Sequence, residues 1–218
     1  MLHTWSLGVE EQFYLIFPVI SLLIFRYFKA HFLTLLVAFS LLSLQFSELM
    51  QTRSPELNFY FPLSRFWEIA IGALLAYREL NYKPIQNSFA NQVLPMTGLY
   101  LLAYGLFYFN GETPHPSFFS VIPVSGVALI IAFASGDELV GKILGSKPLV
   151  IIGLISFSAY LWHFPIYSFA RIETPDISNY HKAALLVLIL FLSLFSFKFI
   201  EQPTRKKIST KSFFLVLG

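Results

Sequence analysis

Apolar residues run along this chain in long blocks broken by short polar stretches. Seven blocks can be drawn: Gln12–Phe28, Phe32–Leu49, Leu63–Tyr77, Val93–Phe109, Phe118–Ser135, Leu149–Ala170 and Ala183–Ile200. A bilayer-spanning helix needs roughly 20 predominantly apolar residues, so each block reads as a candidate transmembrane helix. The first and third are short for that task and would tilt little, thin the bilayer or continue into polar turns. Turn chemistry marks the breaks, at Ser54-Pro55, Asn110-Gly111, Thr113-Pro114-His115-Pro116 and Ser135-Gly136-Asp137. The pattern predicts an all-α polytopic transmembrane bundle of about seven spans, with residues 1–218 forming one domain.

Composition supports the membrane reading. Of 218 residues, 56% are hydrophobic and 12% charged, and the mean hydropathy is +0.66. A soluble domain carries about 25% charged residues, so half that number implies a non-aqueous environment. The 25 phenylalanines and 11 tyrosines suit lipid-facing surfaces and interfacial belts. The net charge of +3 is spread over short loops rather than gathered in a patch, so membrane lipid is an expected partner and nucleic acid is not. Without cysteine the chain has no disulfide, thiolate metal site or cysteine acyl-enzyme. No nucleotide loop, metal-ligand cluster or serine nucleophile elbow is visible, and phosphoryl-transfer and hydrolase readings lack support. A cleavable signal is not apparent, because the first apolar run follows two glutamates and no basic region precedes it.

The basic residues suggest an orientation. With seven alternating spans, ten Lys and Arg fall on one side and three on the other, while Arg65 and Lys198 lie within or at the edges of spans. The richer side is expected to be cytoplasmic, which puts residue 1 outside and residues 205–211 inside.

Ionisable groups inside or at the edge of a membrane are costly and mark function by default. The first such group is His3-Thr4-Trp5-Ser6-Leu7-Gly8-Val9-Glu10-Glu11-Gln12-Phe13-Tyr14. Helical spacing places Ser6, Glu10 and Tyr14 on one face, with Glu11 about 100° away from Glu10. The second group is Arg65-Phe66-Trp67-Glu68 after Pro62, where Arg65 and Glu68 can pair across one turn. An interfacial anchor is the bland alternative there, with Trp67 in the aromatic belt. The third is Ser156 to Pro165, in which Tyr160 and His163 are again three apart. A histidine in such a place is often only a hydrogen-bonded packing residue. The fourth, Lys198 to Arg205, reads as a helix stop at Pro203 with basic residues fixing the end. His31, His115 and His181 read as loop residues.

The first of these groups resembles the HTWSL-x-VEEQFY block of the acyltransferase 3 family, integral-membrane enzymes that O-acylate cell-surface glycans. Residues 65–75 resemble the family's R-FWE-x-x-x-G-x-L-L block, where Gly72 would permit close helix approach. Residues 156–165 resemble its YSLYLWHFP segment, and residues 198–205 its Y-x-x-IE-x-P-x-R ending. The resemblance implies a fold of roughly ten spans, of which this chain would be the C-terminal part, lacking the N-terminal spans. The tail at residues 212–218 would start a further span, leading in one branch of the family to an external SGNH-type domain. The family's base is assigned to a histidine of an upstream helix that has no counterpart here.

The implied reaction is transfer of an acyl group, most simply acetyl, from acyl-CoA to a hydroxyl of an external glycan in the bacterial plasma membrane. No bound cofactor is expected, since acyl-CoA is a donor substrate. Glu10, Glu11, Arg65, Glu68 and His163 are the expected catalytic residues, and His3, Ser6, Gln12, Tyr14, Trp67 and Tyr160 the expected substrate-binding ones. A transporter or flippase for a glycan or lipid-linked substrate is the alternative, since buried charges also mark carrier pathways. A scaffolding membrane subunit is the bland one.

Overall fold

A computed structural model describes residues 4–82, 88–173 and 178–207, and every regular element among them is helical. The elements are α1 (Trp5–Phe28), α2 (Phe32–Arg53), α3 (Pro55–Tyr60), α4 (Pro62–Asn81), α5 (Ser88–Tyr108), α6 (Val121–Phe133), α7 (Leu139–Leu144), α8 (Lys147–Glu173), α9 (Asn179–Ser196) and α10 (Gln202–Lys207). A 3₁₀ turn at Lys29–His31 separates α1 from α2, another at Phe118–Ser120 opens α6, and a π turn at Phe197–Glu201 joins α9 to α10.

All seven apolar blocks are helical, yet seven spans is too many. Among the described residues, three stretches are long and apolar enough to cross a membrane: Trp5–Arg53, which the first 3₁₀ turn divides, Lys147–Ile172 and Asn179–Thr204. The reasons lie in the intervening sequence. Helix α4 carries Arg65, Glu68, Arg78 and Glu79. Helix α5 carries Asn91 and Gln92 near its start and goes on through three tyrosines, and α6 has only 13 residues. At 1.5 Å per residue α6 is about 20 Å long, short of the roughly 30 Å hydrocarbon core. Among the described residues the fold is therefore all-α and membrane-associated with three long apolar stretches, and nothing among them supports a ten-span architecture. The sidedness drawn from seven alternating crossings lapses with that count.

The membrane character is plain on the surface of α1, where Leu15 is 75% exposed and Leu22 70%. Such apolar faces are costly in water and at home in lipid.

The chain divides into two compact units, Met1–Ile143 and Leu144–Gly218. In the first unit α2 packs on α4 through Phe32, Leu36 and Ala70, with Phe17 and Ile24 of α1 against them. Further along α2 the buried positions become serines, Ser40, Ser43 and Ser47. Small residues let a neighbouring helix approach closely, and their hydroxyls bond backbone groups. Ser43 Oγ donates to the Leu63 carbonyl and accepts from the Trp67 N–H at 3.1 Å. The close approach expected at Gly72 occurs elsewhere, since a Cβ on Gly72 would meet nothing within 4 Å. It lies between α5 and α6, where a Cβ on Gly98 would stand 2.6 Å from the Gly126 carbonyl oxygen.

In the second unit α8 and α9 run antiparallel. Trp162 Nε1 donates to Ser196 Oγ at 2.9 Å, and Ser158 Oγ donates to Glu201 Oε2 at 3.1 Å. The falling partner numbers against the rising ones fix the direction.

Candidate active site

Pro62 at the first position of α4 suits a helix start, where a missing N–H is harmless. The chain arrives there from α3 through the extended Phe61, a tight return that brings the Phe59 carbonyl back over the new helix. Arg65 Nε donates to that carbonyl at 3.0 Å, and Nη1 approaches Glu68 Oε2 at 3.4 Å. The guanidinium lies 4.7 Å from the Trp5 ring centroid and 5.0 Å from that of Phe59. Trp5 in turn packs on Phe59 at 4.2 Å and Tyr60 at 5.6 Å. Two blocks sixty residues apart in the sequence thus meet at one cation. The Arg65 and Glu68 side chains are 17% and 23% exposed. Burial pushes the Glu68 carboxyl above its ordinary value, against the opposing charges of Arg65 and His115. Burial likewise lowers Arg65, with Glu68 opposing.

His115, which the sequence reading leaves in a turn, is brought against this cluster. Its ring stands edge-on to Phe59 at 5.5 Å, so one aromatic ring carries both Arg65 and His115. The proline-rich loop that bears it is tied to α2 and α3 by long-range bonds. Ser47 Oγ and Asn58 Nδ2, both on fully buried residues, donate to the Pro116 carbonyl at 2.8 and 2.9 Å. Glu48 Oε2 accepts the Phe118 N–H at 3.0 Å.

The other expected site residues are placed differently. Glu10, Glu11, Gln12 and Tyr14 are exposed on α1, whose packed face is Trp5, Val9, Phe13 and Phe17 instead. Ser6 is half-buried in the first turn of α1, and His3 lies outside the described residues. Trp67 is 2% exposed in the core, its Nε1 without a hydrogen-bond partner among the described residues. In the second unit His163 is half-buried, with Nδ1 2.6 Å from the Tyr160 carbonyl and its ring 5.6 Å from the Tyr160 ring. Glu201, read as part of a helix stop, is the acceptor of the Ser158 hydroxyl.

A groove of about 500 Å³ runs between α1, α2 and α4, lined by apolar side chains such as Phe13, Phe17, Phe39 and Phe66. Ser21 Oγ lies buried in its wall without a partner among the described residues. Among the described residues no cluster of three or more His, Cys, Asp or Glu is placed to hold a metal ion.

Comparison with known proteins defines the class. The acyltransferase domain of the acyltransferase 3 family matches residues 1–197, and the chain belongs to that family. It is 29% identical over 221 residues to the O-acetyltransferase OatA of Staphylococcus aureus (strain NCTC 8325 / PS 47), with 94% of this chain and 36% of that protein covered. It is also 29% identical over 220 residues to the peptidoglycan O-acetyltransferase OatA of Listeria monocytogenes serovar 1/2a, with 94% and 35% covered. The chain thus spans about a third of the length of these curated relatives. No solved structure matches it.

Proposed function

We propose that the protein transfers an acyl group, most simply acetyl, from acyl-CoA to a hydroxyl of a cell-surface or exported glycan such as peptidoglycan, O-antigen or exopolysaccharide, in the bacterial plasma membrane. The observation that carries this reading is the meeting of Trp5, Phe59, Arg65 and Glu68 in a chain of an acyltransferase family. In acyl transfer the acceptor oxygen attacks the thioester carbonyl, charge develops on the carbonyl oxygen, and the C–S bond breaks. A fixed cationic donor stabilises that charge far better in a partly dry site than in water. Arg65 supplies the donor. The Phe59 carbonyl and the Trp5 and Phe59 faces hold its plane, and Glu68 sits across one turn from it.

Membrane vesicles carrying the protein, given radiolabelled acetyl-CoA and cell-wall glycan, are expected to label the glycan. Arg65→Ala should lower that labelling by about 100-fold at unchanged abundance in the membrane, the usual cost of removing one oxyanion donor. Failure of the unaltered protein to label, or an R65A rate within about threefold of it, would refute the reading.

A further inference from the structure

Phe59 holds Arg65 twice over, with its carbonyl 3.0 Å from Nε and its ring centroid 5.0 Å from the guanidinium. Both grips come from α3, a helix of six residues. An isolated helix needs roughly 12–15 residues to persist in water, so α3 keeps its place only through its neighbours. Phe59 lies in the last turn of α3, where carbonyls have no partner within the helix and are free to accept from a side chain. The tie that fixes this turn is the residue just before it. Asn58 is fully buried, and its Nδ2 donates to Gln51 Oε1 of α2 and to the Pro116 carbonyl, each at 2.9 Å. Ser47 Oγ of α2 donates to the same carbonyl at 2.8 Å, which uses both of its lone pairs. One side chain thus binds α3 to α2 and to the proline-rich loop. Stability alone does not explain the choice of residue. Asn58 Oδ1 is buried without a partner among the described residues, and an apolar side chain would fill that space with no orphaned acceptor.

We infer that Asn58 is a positioning residue for acyl transfer, setting through α3 the place at which Phe59 holds the Arg65 guanidinium. The inference rests on the acyl-transfer reading above and deepens it by naming what aims the oxyanion donor. Fully buried, Asn58 acts on the reaction only through its neighbours. Its two bonds fix the turn of α3, the turn fixes the Phe59 carbonyl and ring, and these fix the plane of the guanidinium. A donor displaced by about 1 Å from a developing charge can lose up to about 100-fold in rate, so a loosened α3 is felt in kcat.

The test uses Asn58→Ala, alone and combined with Arg65→Ala, in the vesicle assay, with rates taken per amount of protein in the membrane. Asn58→Ala alone is expected to lose about tenfold in kcat, with the KM for acetyl-CoA within about threefold of the unaltered protein. On the Arg65→Ala background it should change the rate by less than about twofold, because no guanidinium is left to place. A merely structural role would cost the same factor with or without Arg65. Ser47→Ala removes the other bond to the Pro116 carbonyl and leaves those of Asn58, so it should cost less than about threefold. A kcat for N58A within about twofold of the unaltered protein, a full loss that persists beside R65A, or an equal loss in S47A overturns the inference. If N58A does not reach the membrane, Gln51→Ala decides, since it removes only a half-buried acceptor of the Asn58 amide. It should lose about threefold, and no loss, or a loss that persists in full beside R65A, overturns the inference as well. If the unaltered protein labels no glycan, or R65A is not slower than it, the acyl-transfer reading is what has failed.

Discussion

Arg65 and His163 stand in stretches of equal promise by resemblance, and their surroundings differ in kind. Arg65 is held by groups from separate parts of the chain: Trp5 of α1, the Phe59 carbonyl and ring, and Glu68 one turn on. The contact of His163 with Tyr160 is local, one turn back along the same helix. Around it the polar bonds from Ser158 and Trp162 lock α8 against α9. A side chain whose neighbours converge from distant sequence has been positioned for a purpose beyond its own helix.

That contrast can be broken by experiment. Arg65→Lys keeps the charge but loses the planar fork that bonds the Phe59 carbonyl and stacks on Trp5, so glycan labelling should fall by tens of fold. An R65K rate near that of the unaltered protein would reduce Arg65 to a bare charge. Asn58→Ala removes a fully buried amide that bonds both Gln51 Oε1 and the Pro116 carbonyl at 2.9 Å. It should cost about 1–3 kcal/mol of stability, read as a lowered melting temperature in detergent, because the buried acceptors lose a donor. An unchanged melting point would mean that the loop is not anchored there. His163→Ala should be the mildest, with labelling within about threefold of the unaltered protein. A loss as deep as that expected for Arg65→Ala would erase the contrast.

The helices were legible where apolar blocks are long, as in α1, α2, α8 and α9. Their number as spans was not. Block counting gives α4 and α6 the weight of full spans, although Arg65, Glu68, Arg78 and Glu79 make one polar and 13 residues make the other short. The six-residue helices α3 and α7 carry too few turns to show a period. In the candidate site, Arg65 and Glu68 could be read as a pair because their spacing is local. Trp5 was visible only as part of a block, and its place on Arg65 is a tertiary fact. His115 was read as a loop residue because nothing local distinguishes it. Its loop is anchored through Ser47 and Asn58, whose bonds reach the Pro116 carbonyl across 69 and 58 residues. The one signal for it in the sequence is the pair of flanking prolines, Pro114 and Pro116.

Whether Arg65 and Glu68 act as one unit in the proposed site is decided most directly by combining Arg65→Ala with Glu68→Gln and measuring acetyl transfer in vesicles. Groups that act together on a single transition state lose their effect together, so the double variant should be little slower than the worse of the two singles. If the two losses instead multiply in full, the two side chains act independently and the shared site does not exist.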